Sequence, residues 1–275
     1  MAASITLISL LLTLRLLSSL TSALSAPSPL AEQNASRLKE ALYSPAGKLT
    51  LSPEIIIPEP SDPTAILLQS SAVKTLSERI RTEAKANAAW IHGSVTAVQT
   101  FCSEQEQARG NFPGPVPVVY CPSSSNDCTA EDMESLVGSG AAGILATLSK
   151  GEAISTAEEI SSVDDDVTSW CSLALKTGLQ PIPEIILADE LAGSLVEADI
   201  STIVEQVSSK LGFDPVSVVL TVNPPVFDID DDDDEGDTIT FSLPQVPKAL
   251  GKTTPIIGSV RVAAGENRIN KETAR

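Results

Sequence analysis

Short apolar runs alternate with longer amphipathic runs along most of this chain, and this alternation restricts the possible folds more than any other feature. The longer runs carry apolar residues at helical spacing, as residues 65–86 do with Ile66, Val73, Leu76 and Ile80. The short apolar runs predict strands at residues 49–57, 88–92, 116–120, 140–146, 181–187, 216–222 and 255–262. Strands that alternate with helices form parallel sheets, so the sequence predicts an α/β fold.

Both a doubly wound open sheet and a (β/α) barrel agree with this alternation. No Gly-rich dinucleotide or phosphate-loop pattern stands at a strand–helix junction, so those two classes of nucleotide-binding protein are not indicated. A Ser-His-Asp hydrolase is not indicated either, because the chain has one histidine, His92, inside a predicted strand. A single histidine in a strand is more often structural than catalytic.

Glu184 is the strongest single candidate for a functional residue. It lies inside the apolar strand 181–187, between Pro183 and Ile185. A carboxylate in such surroundings has to be desolvated, paired or directed into a polar cavity. In parallel barrels, strand residues alternate between the lumen and the helix layer, and the active site lies at the C-terminal ends of the strands. Glu184 therefore either lines a site or is a structural carboxylate of the lumen.

Charge and cysteine content exclude several partners and cofactors. The formal net charge is −18, which argues against nucleic acids and anionic membranes as partners because both require a basic surface. The four cysteines form no CxxC motif, so a zinc site is not expected, and we expect no other metal or cofactor. Cys121 and Cys128 could form a disulfide in an oxidising compartment, but we favour buried free thiols.

The N-terminus carries a targeting pattern. Residues 5–24 are apolar apart from Arg15 and polar serines and threonines, and small residues follow, so we predict a signal peptide over residues 1–25. The junction at residues 21–27 (TSALSAP) resembles the bipartite plastid-targeting signals of algae with secondary plastids. Residues 26–47 then form a transit-like segment with an N-terminal helix near residues 32–42. Plain secretion is the alternative, with Asn34 in a glycosylation sequon.

An acidic run at residues 228–237 (DIDDDDDEGD) interrupts the predicted barrel domain, which spans residues 48–262. Like charges in sequence repel one another, so the run predicts a solvated, disordered loop. Its spacing does not match an EF-hand calcium loop. Residues 263–275 are predicted to be a polar tail.

Four stretches carry a resemblance to a known family: residues 54–61 (EIIIPEPS), 117–119 (PVV), 140–145 (GAAGIL) and 177–191, which include PEIILADEL. They resemble the first, third, fourth and fifth strands of indole-3-glycerol-phosphate synthase, and the resemblance spans about residues 31–262. That family has a (β/α)8 fold. The resemblance implies a TIM-barrel-like α/β fold that is incomplete at its C-terminus, because no eighth strand has a counterpart here.

The resemblance also implies a function in tryptophan biosynthesis, the ring closure of carboxyphenylamino-deoxyribulose phosphate with loss of CO2 and water. Glu184 and Glu54 stand at the two catalytic glutamate positions. The substrate-binding positions that have counterparts here are Ser61, Asn223 and Ser259. A phosphorylated small molecule is therefore the expected ligand, and no membrane partner is expected once the signal is removed.

The family's two lysines are absent from this chain. The first-strand lysine falls on Ile56, and the third-strand lysine falls on Cys121, or on Tyr120 if the register shifts by one. A lysine supplies the general acid and the charge that holds an anionic substrate, so we expect reduced or lost synthase activity. The alternative is a non-catalytic barrel that binds a ligand or a partner in the plastid or secretory pathway. An incomplete barrel has open edges, which a partner chain or the N-terminal helix could cover.

Overall fold

The computed structural model describes residues 28–43, 52–60, 63–124, 127–148, 154, 156, 159–160, 165–188, 197–222 and 256–260. For residues 63–65, 197–199, 222 and 256–260 it describes the backbone alone. The predicted signal peptide, the acidic run and the polar tail lie outside these ranges. Residues 189–196 and 243–250, where the sequence pattern also predicts helices, lie outside them too.

Seven strands form one parallel sheet in which spatial order equals chain order. They are β1 (Glu54–Ile56), β2 (Ala89–His92), β3 (Val118–Cys121), β4 (Gly143–Thr147), β5 (Gln180–Leu187), β6 (Val218–Val222) and β7 (Ile256–Val260). A doubly wound sheet reverses its strand order at a switch point, and this sheet does not. The expectation of an incomplete TIM-barrel-like α/β fold is therefore confirmed.

Helices connect the strands. They are α1 (Pro29–Leu42), α2 (Pro63–Thr82), α3 (Val95–Gln107), α4 (Ala130–Ser139), α5 (Asp165–Thr177) and α6 (Glu197–Leu211). Helix α4 begins at a capping box, in which the side chains of Thr129 and Asp132 each accept a hydrogen bond from the other's backbone N–H. The hydrogen bonds from Thr129 lower the pKa of the Asp132 carboxyl. None of the helices in the described ranges is long and apolar enough to cross a lipid bilayer.

The two faces of the sheet carry different residues. The outer face packs on the helices, where Ile91, Val118 and Ile144 meet residues such as Phe101 of α3. Alternate residues point to the opposite, inner face, where Trp90, Val119, Leu145, Ile182 and Val219 form a separate apolar cluster. Every residue of β5 is buried. This strand is therefore covered on both faces, as expected for a central strand of a parallel sheet.

Helix α1 closes the N-terminal end of the inner face. Leu38 is fully buried within the inner cluster, and its Cδ1 lies 3.1 Å from the position that a Cβ would take at Gly143, the first residue of β4. Asn34 donates a buried hydrogen bond of 2.9 Å to the carbonyl of Gly178, just before β5. The expectation that this helix covers an open sheet edge is wrong. Its apolar face packs against the first residues of β4 and β5 instead.

A buried polar network joins α2 to α3. Arg81 donates to Glu104 at 2.6 Å, and Ser77 donates to the other carboxylate oxygen at 2.8 Å. Gln105 donates to the Ser77 carbonyl at 2.8 Å and accepts from the backbone N–H of Val116 at 3.0 Å. The network thus ties both helices to the segment that enters β3.

Gly93 fixes the C-terminal ends of β1 and β2 relative to each other. Its φ is +149°, and a Cβ there would lie 2.8 Å from the carbonyl oxygen of Ile57. The N–H of Ile57 donates to the carbonyl of His92 at 2.8 Å, which leaves little room for the backbone to move. Only glycine suits this position.

We expect Gly93→Ala to lower the free energy of unfolding by about 2 kcal/mol, because the new Cβ meets backbone in a strained conformation. Urea denaturation followed by far-UV circular dichroism measures the change. Gly138→Ala is the matched control: that helix position is open, so alanine should stabilise by about 0.5–1 kcal/mol. Equal effects of the two substitutions would contradict the prediction.

Candidate functional site

Glu184 lies on the inner face of β5 and is 1% exposed. Thr147 of β4 donates to its Oε2 at 2.6 Å, and Thr221 of β6 donates to its Oε1 at 2.7 Å. The register explains both contacts. Thr147 is directly opposite Glu184, while Thr221 is opposite Ile186 and points to the same face. Two threonines on the neighbouring strands therefore hold one carboxyl group from both sides.

This arrangement fixes the orientation of the carboxyl group, because each oxygen has its own short hydroxyl donor. Burial in an apolar strand would otherwise leave a polar group uncompensated. A carboxyl group held in this way can accept a hydrogen bond from a ligand or exchange a proton with it at a fixed point. It can also serve structure alone, by joining three adjacent strands.

Glu54 lies on β1, and the chain's one histidine is its partner. Oε1 of Glu54 and Nε2 of His92 are 2.6 Å apart, although the pair does not satisfy hydrogen-bond geometry at Nε2. Nε2 is buried, so this nitrogen faces the carboxylate and not solvent. Both side chains are partly exposed, at 38% for Glu54 and 24% for His92. A ligand at the inner face can therefore reach them.

The structure does not bring Glu54 and Glu184 together. Three strands lie between β1 and β5. Register pairing leads from Glu54 through Trp90, Val119 and Gly143 to Gln180, which precedes Glu184 by four residues. The two glutamates thus belong to different levels of the inner face, and each is held by its own partners.

The three substrate-binding candidates remain predictions. Ser61 and Asn223 lie outside the described residues. Ser259 is on β7, where only the backbone is described, and the register places it opposite Thr221. Ser259 therefore shares a level of the sheet with one of the two threonines that hold Glu184.

Sequence reasoning assigned His92 a structural role and missed its contact with Glu54. Its position offered a signal: His92 is the last residue of β2 and precedes Gly93, so it lies at the C-terminal end of a strand, where barrel sites form. Sequence reasoning also missed Thr147 and Thr221, which lie at or near the C-terminal ends of β4 and β6. The strand boundaries place both near the edge where barrel sites form, but only the register shows that they meet Glu184.

No strand places a lysine or an arginine on the inner face. None of the seven strands contains lysine or arginine. Within the described ranges, no three His, Cys, Asp or Glu side chains come together as metal ligands. The strand residues thus offer carboxylates, hydroxyls and one imidazole.

All four cysteines are buried and free, which confirms the preference for thiols over a Cys121–Cys128 disulfide. Desolvation raises the pKa of Cys102, Cys128 and Cys171 from 9.0 to about 12 each. Nearby Glu106 adds to the effect at Cys102, and Asp132 adds to it at Cys128. These three thiols stay protonated at neutral pH and are poor nucleophiles.

We expect these thiols to react with Ellman's reagent at pH 8 at least about 100-fold more slowly in the folded protein than in concentrated guanidinium, where all four cysteines react. Because their folded pKa is raised, the stability linked to them is present below pH 9 and falls as the pH rises from 9 towards 12. Rapid stoichiometric labelling of the native protein would contradict this prediction.

No protein-family model matches the sequence, and no curated protein matches it. Two solved structures show a weak likeness. One is tryptophan synthase subunit alpha from Legionella pneumophila, with 12% identity over 84% of this chain and 86% of that chain, and a TM-score of 0.35. The other is a putative lyase/mutase from Burkholderia cenocepacia, with 13% identity over 84% and 82%, and a TM-score of 0.33. The chain's own topology, parallel strands in sequential order with connecting helices, places it among the incomplete TIM-barrel-like α/β folds.

Proposed function

We propose that this chain binds a phosphorylated small molecule at the inner face of its sheet and is a divergent relative of indole-3-glycerol-phosphate synthase with reduced turnover. The observation that carries the proposal is Glu184, a buried carboxyl group held by two threonines on the inner face of β5. The sequence resemblance is continuous around this residue, from residue 183 to residue 191.

The loss of two lysines sets the expected rate. Each is replaced by a side chain that carries no positive charge, at Ile56 and Cys121. A positioned general acid or charge clamp is worth about 100-fold or more. We therefore expect turnover of carboxyphenylamino-deoxyribulose phosphate about 10⁴-fold or more below that of a synthase that keeps both lysines.

The test measures binding of this phosphate ester by calorimetry and its conversion by indole fluorescence. We expect Glu184→Gln to lower the residual turnover at least about 100-fold, because the amide cannot exchange the proton. Glu134→Gln, which changes an exposed glutamate of α4, is the control and should leave turnover unchanged. Absence of binding at millimolar ligand would overturn the proposal, as would equal turnover in wild type and Glu184→Gln.

A second candidate function is a non-catalytic ligand-binding barrel. The specific observation in its favour is the absence of lysine and arginine from all seven strands. On this alternative the phosphate ester binds, no indole product forms, and Glu184→Gln weakens binding instead of turnover. Calorimetry and the product assay on the same samples separate the two functions.

We also propose that the protein reaches a plastid through a secretory-type signal, with secretion as the alternative. The support is the apolar run 5–24 followed by the TSALSAP junction. Residues 1–47 fused to a fluorescent protein in an alga with secondary plastids should direct it to the plastid. Export of the fusion from the cell would overturn the plastid route.

A further inference from the structure

His92 lies between the two inner-face positions at which the resemblance expects lysine. The register pairs its Cα with Ile56 of β1 on one side and with Cys121 of β3 on the other. In a parallel sheet, paired residues point to the same face. The three side chains therefore form one row, and His92 is the member that can carry a positive charge.

The surroundings of His92 suit proton transfer. The side chain is 24% exposed, while its Nε2 is buried and lies 2.6 Å from Oε1 of Glu54. The other ring nitrogen, Nδ1, is therefore the one left for a ligand. A carboxylate beside an imidazole holds the ring in one orientation. The backbone carbonyl of His92 is held by the N–H of Ile57, and Gly93 follows in close contact with Ile57. The ring is thus carried on a fixed backbone at the end of β2.

The neighbours in the row do not compete for this role. Ile56 is apolar and 77% exposed, and Cys121 is 1% exposed. An apolar side chain on one side and a buried thiol on the other leave the imidazole as the accessible polar group of its row. Glu184 lies at a different level of the inner face, so its carboxyl group is not a member of this row.

We propose that His92 is the general acid of this site and stands in for the missing lysines, with Glu54 as its positioning residue. After ring closure the former ketose carbonyl is a hydroxyl, and the proton moves to it from Nδ1 of the imidazolium, the nitrogen that does not face Glu54. The C–O bond breaks with its electron pair on oxygen and water leaves, while the neighbouring carbon gives a C–H proton to solvent as the double bond forms. The imidazole then takes a proton from solvent. Glu54 holds the ring without exchanging a proton with the ligand. This inference rests on the proposed function and extends it to a second residue pair.

The first experiment is independent of turnover. Because His92 is the one histidine of the chain, tag-free protein gives a single imidazole Cε1–H resonance. We expect carboxyphenylamino-deoxyribulose phosphate to shift this resonance in step with the binding measured by calorimetry. Binding that leaves the resonance unmoved would overturn the role of His92 while the proposed function stands. Absence of binding would overturn the proposed function and this role with it.

The second experiment uses variants. We expect His92→Gln to lower turnover at least about 100-fold while Kd changes less than about threefold, and added imidazole to restore at least about tenfold. Glu54→Gln should lower turnover about tenfold at unchanged Kd. Glu59→Gln, an exposed glutamate beyond β1, is the matched control. Unimpaired turnover in His92→Gln, or failure of imidazole to restore any activity in the folded variant, would overturn the inference.

Discussion

Replacing Glu104 with alanine is expected to lower the free energy of unfolding by about 3 kcal/mol. The side chains of Arg81 and Glu104 are only 10% and 15% exposed, and their contact is 2.6 Å. Removal of the carboxylate leaves the guanidinium buried without its counter-charge, and Ser77 also loses an acceptor. Leaving such a buried charge without its partner costs more free energy than the ion pair itself contributes to stability.

An exposed ion pair provides the control for this prediction. Arg79, in the last turn of α2, and Glu83, just after the helix, are 2.9 Å apart, but their side chains are 63% and 61% exposed. Glu83→Ala should therefore change stability by less than about 0.5 kcal/mol. Urea denaturation of both variants and of Arg81→Met/Glu104→Leu gives the comparison. The double variant should recover part of the loss, because no unpaired charge remains. Equal effects of Glu104→Ala and Glu83→Ala would contradict the buried-network argument.

Replacing Leu38 with alanine should lower the free energy of unfolding by about 3 kcal/mol. Leu38 is fully buried beneath β4 and β5, and its loss leaves a cavity at the N-terminal end of the inner cluster. Gly143 and Ile182 border this cavity. They belong to β4 and β5, central strands whose pairing keeps them from moving into the gap. Chemical denaturation and the volume of the cavity in the variant's structure both report the change.

The matched control is Leu67→Ala in α2. Leu67 is 76% exposed, so its truncation removes little buried area and should change stability by less than about 0.5 kcal/mol. If Leu38→Ala were as mild as this control, α1 would not be seated on the barrel as described. Hydrogen exchange of α1 amides in Leu38→Ala should then also remain as slow as in the wild type.

The fold was predictable because its signals are local. Apolar runs separated by capped amphipathic helices define each unit, and the predicted strand at residues 181–187 differs from β5 by one residue at its start. The start of α4 is likewise a local feature, because the capping box of Thr129 and Asp132 spans only four residues. Such features can be recognised from the sequence without knowing which residues pack against them.

The site was predictable only in part because it depends on register. Sequence analysis singled out Glu184 as an unusual residue, but Thr147 and Thr221 are 37 residues away on either side and look ordinary. The contact of Glu54 with His92 likewise follows from the pairing of β1 with β2. Which side chains meet across strands is set by tertiary alignment, and a one-residue shift would send each to the other face.

The shortness of β1 has a consequence for association between copies of this chain. An exposed sheet edge is a template on which another chain can add a strand. Here the edge strand has three residues, Glu54–Ile56, with Pro53 before it and Pro58 and Pro60 after it. Proline offers no N–H to an incoming strand, and the carbonyl of Pro58 already accepts from Gln69. An added strand would find few consecutive backbone groups here, so the flanking prolines protect the β1 edge of the sheet against strand addition.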